Sequence, residues 1–159
     1  MKMYLCRPIL TVAWFAILSA FGATQTTRAA EPENPMVLRA VMQQLERDMQ
    51  SVTGAISRED WEGVAELAPR IASHPEPPVE EKVRILTWLG RDASKFRSFD
   101  AQTHDAAEAM GEAAARRDGK AVIVGFANVQ QSCLGCHQSF RKPFTEHFYA
   151  GDAAAADTM

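Results

Sequence analysis

Cysteine is scarce in this chain. Three are present among 159 residues, and two of them, Cys133 and Cys136, lie three positions apart. The third, Cys6, lies in a segment that we expect to be removed, and the other histidines, His74, His104 and His147, are scattered along the sequence. A structural zinc site needs four ligands, usually as two closely spaced pairs. The sequence therefore disfavours a zinc site.

Long apolar runs are also missing. The longest stretch, Ile9 to Ala23, has about 15 residues, whereas a membrane-spanning helix needs roughly 20. Lys2 and Arg7 precede this stretch and small residues follow it, which is typical of a secretory signal. We expect residues 1–30 to be removed, with cleavage after Ala23, Ala29 or Ala30, and export to the periplasm. An uncleaved anchor is the alternative, and the mature chain itself is not expected to insert stably into a membrane.

Basic residues are the minority in the mature chain. Loss of residues 1–30 leaves 14 basic and 20 acidic side chains. An acidic surface argues against nucleic acid or anionic lipid as a partner, and it permits docking to a basic protein.

Strand patterns are missing too. No window shows sustained period-two alternation, which also disfavours a thioredoxin-like dithiol. Residues 31–150 instead predict one all-α domain with four amphipathic helices, an antiparallel four-helix bundle. We expect a disordered tail over 151–159. The predicted helices span 36–56, 60–73, 79–117 and 120–142, and Pro143 either ends the last of them or starts a short extension through Tyr149. The predicted inner face of the third helix is Val83, Leu86, Ala93, Phe96, Phe99, Thr103, Ala107 and Met110. We expect this long helix to bend at Gly90 or in the Ser98-to-Asp100 region.

The strongest motif is Cys133-Leu134-Gly135-Cys136-His137 on the last predicted helix. A Cys-x-x-Cys-His run is the covalent attachment signal of c-type haem. Residues i and i+3 share one helix face, so both thiols can reach one porphyrin edge. His137 is then placed to ligate the iron.

The whole mature chain resembles the cytochrome c′-type proteins, the class II c-type cytochromes. The resemblance rests on Cys-x-x-Cys-His followed by Phe140 and Arg141, on Trp88 and Phe96, and on the Asp118-Gly119 break. It implies thioether bonds from Cys133 and Cys136, with His137 as proximal ligand. It also implies that Phe140 packs near the haem and that Arg141 lies beside the proximal imidazole. Plain core packing of Phe140 and a solvated charge at Arg141 are the alternatives.

The resemblance also directs attention to the first helix, which faces the open side of the haem in this family. Matching the apolar stripes places Met42 there, with Met49 as a second candidate and plain core packing of both as the alternative. A His137/Met42 pair implies a one-electron carrier and not an enzyme. Without a sixth ligand, the protein would be a five-coordinate, high-spin binder of nitric oxide or carbon monoxide.

Further expectations concern the surroundings of the haem. No His, Asp or Glu lies on the inward stripe of the first helix, which disfavours peroxidase chemistry. Family members often carry a basic residue near the start of this helix, so Arg39 could pair with a haem propionate, a solvated charge being the alternative. The partner would be an unidentified redox protein, and a homodimer through the first two helices is plausible.

Overall fold

The described part of the chain, residues 36–149 of a computed structural model, is helical throughout its regular structure. Four helices form the rods of an antiparallel bundle: α1 (Val37–Ser57), α2 (Trp61–Ala72), α4 (Ala93–Ala115) and α5 (Gly119–Cys136). Two shorter helices, α3 (Val79–Leu89) and α6 (Lys142–Phe148), lie at the end where α1 begins and α5 ends. The predicted all-α four-helix bundle is therefore confirmed.

Local sequence explains the starts of α2 and α5. The carboxylate of Asp60 accepts the backbone N–H of Gly63 at 3.0 Å, and that of Asp118 accepts the N–H of Ala121 at 3.1 Å. A short carboxylate before the first turn satisfies an otherwise unpaired donor and favours helix initiation.

The third predicted helix is divided by a 3₁₀ turn, Gly90–Asp92. Gly90 has φ +51°, a left-handed conformation that glycine adopts without steric cost. The turn rotates α3 relative to α4, so the inner face predicted for one continuous helix is wrong for α3. Val83 and Leu86 are 56% and 37% exposed, whereas Ile85 and Leu89 are buried. The prediction is correct after the turn, where Thr103, Ala107 and Met110 are buried.

Buried side chains form two separate apolar clusters. The bundle cluster lies between α1, α2, α4 and α5 and includes Val52, Ile71, Met110 and Val129. The end cluster joins the start of α1 to α3 and α6. Its buried members are Met36, Ile85, Leu89, Phe140 and Phe144.

A π-turn, His137–Arg141, connects α5 to α6. Pro143 follows after one residue, Lys142, and proline has no N–H and crowds the carbonyl four residues before it. The wider i→i+5 turn accommodates this ring without ending the helical path. The predicted extension beyond Pro143 is thus present as α6.

Two predictions fall outside the described residues: the signal over 1–30 and the tail over 151–159. Between residues 36 and 149, no helix is both long and apolar enough to cross a membrane.

Candidate haem attachment site

The two cysteines of the motif occupy the last turn of α5. Cys133 packs against the bundle cluster, and Cys136 packs against the end cluster. Both are free thiols and half-buried. The helix therefore places two thiols one turn apart, with one against each apolar cluster.

Close packing of α4 on α5 fixes this turn. At Gly135, between the cysteines, an added β-carbon would lie 2.6 Å from Cε1 of Phe99. Four residues further along α4, the Thr103 hydroxyl lies 2.8 Å from the buried hydroxyl of Ser132. A glycine between the thiols thus lets the Phe99 ring lie directly on the α5 backbone.

Both thiols are held in the neutral form. Burial raises the pKa of Cys133, and a hydrogen bond with Thr103 offsets part of that effect. Burial also raises the pKa of Cys136 to about 11, with additional contributions from Cys133 and from the Asp100 carboxylate. Desolvation is the main cause in each case, because it disfavours the thiolate.

His137 begins the π-turn and reaches solvent. Desolvation of part of its ring lowers its pKa, and the nearby Arg141 guanidinium lowers it further. A lowered pKa keeps the imidazole neutral at physiological pH, which is the form that ligates a metal. Arg141 thus acts electrostatically on His137, and its place beside a haem-ligating imidazole stays a prediction.

Phe140 lies inside an aromatic group of the end cluster and is only 8% exposed. Its ring centroid is 5.6 Å from that of Phe96 and 6.5 Å from that of Phe99, both edge-to-face. The Lys95 ammonium lies 5.7 Å above the same ring. An apolar, aromatic wall of this kind is suited to a flat hydrophobic macrocycle.

The apolar stripe of α1 also runs from one cluster to the other. Leu38 packs against the end cluster, as Cys136 does, and Leu45 packs against the bundle cluster, as Cys133 does. Met42 lies between these two leucines on the stripe and is 39% exposed. Met49 lies deeper, half-buried against the bundle cluster.

The guanidinium of Arg39 lies 5.2 Å from the centroid of the Tyr149 ring. This contact places Arg39 at the end of the bundle that carries His137 and α6. Its role toward a haem propionate stays a prediction.

Several residues outside the predicted site also have defined roles. Asp48 on α1 is buried, ion-paired with Arg70 and hydrogen-bonded by the Gln44 amide. The expectation of an acid-free inward stripe therefore missed an acidic side chain that faces α2. A buried acid pairing across two helices leaves no local signal in sequence.

The ring Nδ1 of His74 lies 3.1 Å from the Ile71 carbonyl oxygen at the end of α2. Its Nε2 lies 3.5 Å from a carboxylate oxygen of Asp100, whose charge also acts on Cys136. His104 is 43% exposed in its side chain, with Asp105 and Glu108 as neighbours, as a surface histidine should be.

The residues present fit a covalently attached haem. Two neutral thiols lie one turn apart on a helix, a neutral imidazole follows them, and an aromatic wall adjoins them. No group of three or more metal-ligating side chains occurs within residues 36–149, and a haem iron needs only one or two protein ligands. Fold and site together define a c-type haem protein built on a four-helix bundle.

A family model described as Cytochrome C′ matches residues 36–141. The chain belongs to the cytochrome c′ family. Proteins of this family carry covalently bound haem c and serve in electron transfer or gas binding. No significant match was found among curated proteins or among solved structures.

Proposed function

We propose that this protein is a periplasmic one-electron carrier whose haem is attached through Cys133 and Cys136, with His137 as proximal and Met42 as distal ligand. The observation that carries the proposal is the position of Met42. Its two stripe neighbours, Leu38 and Leu45, pack against the same two clusters as Cys136 and Cys133. On α1, Met42 thus falls between a residue of the end cluster and one of the bundle cluster, as the junction of the two clusters does on α5 between Cys136 and Cys133, and this correspondence supports the proposal.

The haem, when bound, supplies a one-electron couple whose potential depends on its axial ligands and surroundings. The chain supplies the rest. Cys133 and Cys136 would hold one edge of the haem through thioether bonds, the neutral imidazole of His137 would supply a nitrogen ligand, and the thioether of Met42 would supply a sulfur ligand. The rings of Phe96, Phe99 and Phe140 exclude water, which favours a small reorganisation on electron transfer.

A non-enzymatic role fits the buried acids. A general base must face the reacting group with a free lone pair. Asp48 is engaged by Arg70 and Gln44, and Glu81 accepts two backbone N–H groups at the start of α1. Neither buried carboxylate is available for proton abstraction beside the motif.

Export to the periplasm is supported by the signal-like sequence of residues 1–30 and by the family, whose members are typically periplasmic. Haem c attachment also takes place on that side of the membrane in bacteria. Mass spectrometry of the mature protein tests both points, through cleavage after Ala23, Ala29 or Ala30 and the added mass of one haem.

Spin state and carbon monoxide binding test the electron-carrier proposal. A six-coordinate ferrous protein should bind carbon monoxide slowly and weakly, because Met42 must first leave the iron. Its ferric form should be low-spin by electron paramagnetic resonance. A high-spin ferric signal with rapid binding of carbon monoxide would instead identify a five-coordinate gas binder, in which Leu38, Met42 and Leu45 line an apolar pocket.

A further inference from the structure

Charge is unevenly distributed along the described chain. The segments that form the α3–α6 end of the bundle, residues 79–97 and 141–149, carry seven basic and four acidic side chains. The remaining described residues carry seven basic and twelve acidic side chains. Within residues 36–149, the acidic excess therefore lies outside these segments, and the end of the bundle that carries Cys136 and His137 is basic.

Aromatic rings hold several of these cations in place. The guanidinium of Arg84 lies 5.7 Å from the centroid of Phe148, and the Lys95 ammonium lies 5.7 Å from that of Phe140. Arg39 lies over Tyr149 at this same end. Such contacts restrict the long side chains and reduce the entropy lost when a partner binds them.

Some acidic side chains at this end already have partners within the protein. Glu81 is buried and accepts the N–H groups of Val37 and Leu38, and Glu146 lies 3.8 Å from Lys142. Glu80 and Asp92 are the other two acids of these segments. Lys82 in turn is paired with Glu76, which lies outside these segments, at 2.6 Å. Among the other exposed charges of the two segments, Arg91, Lys95, Arg97 and Arg141 outnumber Glu80 and Asp92, so an excess of positive charge lies on the surface.

An apolar centre accompanies the cations. Val79, Val83 and Leu86 repeat at steps of four and three along α3 and are 67%, 56% and 37% exposed. Beside them lies a groove of about 560 Å³. It is lined by Val83, Arg84, Thr87, Trp88, His147 and Phe148. Apolar residues ringed by charges are typical of surfaces that bind another protein transiently.

We propose that this surface, formed by α3, residues 90–97 and α6 and called here the basic end, docks an acidic redox-partner protein. The proposal rests on the electron-carrier function proposed above. Charge complementarity selects the partner: carboxylates at its rim would face Arg84, Arg91 and Lys95, with apolar contact at Val83. Electrostatic steering of this kind raises the association rate more than the final affinity, which suits a short-lived redox complex.

The location also suits electron transfer. The Trp88 ring lies in the groove, and its centroid is 5.6 Å from that of Phe144 in the end cluster. Cys136 packs against the same cluster. A partner at the basic end therefore contacts the aromatic group that adjoins the haem attachment site.

Calorimetric titration of the mature, haem-loaded protein with poly-L-glutamate tests the surface independently of redox state. We expect binding at low ionic strength, with at least a tenfold loss between 20 and 200 mM salt, because exposed charges are screened over roughly 10 Å. We also expect at least a tenfold loss in an Arg84→Gln/Arg91→Gln variant. The control variant Arg47→Gln/Arg116→Gln also removes two positive charges, but both lie outside the basic end, so binding is expected to be unchanged.

Equal losses in both variants, or no binding in the parent protein, would overturn the proposal. If the Arg84 variant unfolds at a lower temperature, Arg91→Gln/Lys95→Gln provides the second comparison. Vesicles of phosphatidylglycerol provide the competing surface. Binding to these vesicles without binding to poly-L-glutamate would assign the basic end to a membrane and not to a protein.

Stopped-flow oxidation by ferricyanide, a small anion, then connects the surface to electron transfer. If the net negative charge of the protein governs the reaction, the oxidation rate should rise with added salt, because salt screens the repulsion of ferricyanide. If ferricyanide reacts at the basic end, the oxidation rate should fall, because salt screens its attraction to the basic side chains. The proposal is supported if salt lowers the oxidation rate of the parent protein and no longer does so in Arg84→Gln/Arg91→Gln. A parent protein whose oxidation rate rises with salt contradicts the proposal. Failure of Met42 ligation would appear in spectra alone, so the two proposals fail separately.

Discussion

The carboxylate of Glu81 accepts the backbone N–H of Val37, 44 residues earlier, at an N···O distance of 2.8 Å. Its second oxygen accepts the N–H of Leu38 at the same distance. Glu81 is buried on α3, so a side chain of one helix caps the start of another. This contact anchors the end of α1 that carries Leu38 and Met42 against the end cluster. A bidentate carboxylate at a helix N-terminus also interacts favourably with the helix dipole.

Glu81→Ala is expected to lower the free energy of unfolding by about 1–3 kcal/mol, because two N–H groups at the start of α1 lose their acceptor. Glu81→Gln retains one oxygen acceptor and should cost less. Chemical denaturation of the haem-loaded protein measures both. Glu80→Gln, one position earlier and exposed, is the matched control. Equal stabilities of Glu81→Ala and Glu80→Gln would show that the cap contributes nothing.

Gly135→Ala places a methyl group 2.6 Å from the Phe99 ring and should destabilise the protein by about 1–3 kcal/mol through overpacking. Gly54→Ala is the control, since its new methyl group meets only the flexible end of Arg58 at 3.2 Å. Helix propensity predicts stabilisation there of up to about 1 kcal/mol. Thermal unfolding of the two variants should therefore shift in opposite directions. A shift of the same sign would contradict the close packing of α4 on α5.

The apo-protein should lose stability in alkaline solution. The pKa of Cys136 is about 11 in the folded chain, above its ordinary value of 9.0. A raised pKa means that folding favours the protonated thiol. The stabilisation is complete below pH 9 and is lost as the pH rises towards 11.

Urea denaturation of the apo-protein at pH 7, 9 and 10.5 measures this loss, and Cys136→Ser, which cannot ionise in this range, should weaken it. The haem-loaded protein carries thioethers at both positions and should lack this dependence. Identical pH profiles of the apo-protein and the Cys136→Ser variant would contradict the assignment.

Asp100→Asn is expected to raise the reduction potential. The Asp100 carboxylate acts electrostatically on Cys136, and a negative charge near the haem stabilises the oxidised iron. Potentiometric titration of the haem-loaded variant measures the shift. Asp105→Asn removes an exposed carboxylate further along α4 and should change the potential less. A larger shift from Asp105→Asn would place the electrostatic influence elsewhere.

The attachment motif could be recognised from sequence, because Cys133, Cys136 and His137 lie at most four positions apart. The bundle was also predictable, since apolar periodicity acts locally, and of the two bend positions that the sequence offered in the third helix the structure has the one at Gly90. The inner face of α3 was not predictable. Val83 and Leu86 continue the phase of α4, but the 3₁₀ turn rotates α3 so that Ile85 and Leu89 face the core.

Contacts between residues that are distant in the sequence could not be predicted either. Glu81 and Val37 meet only because α3 packs against the start of α1, and Asp48 meets Arg70 only because α1 lies on α2. The overall acidic composition likewise gave no indication that the α3–α6 end is basic. Each of these features depends on tertiary packing, which periodicity in one helix does not encode.

The central claim is that Met42 ligates the iron opposite His137. The most direct measurement is the near-infrared absorption of the ferric, haem-loaded protein, together with Met42→Leu and Met49→Leu variants. The account predicts a methionine–iron charge-transfer band in the parent and in Met49→Leu, and its loss in Met42→Leu with conversion to high-spin iron. A band that persists in Met42→Leu, or a parent protein without the band, would contradict it.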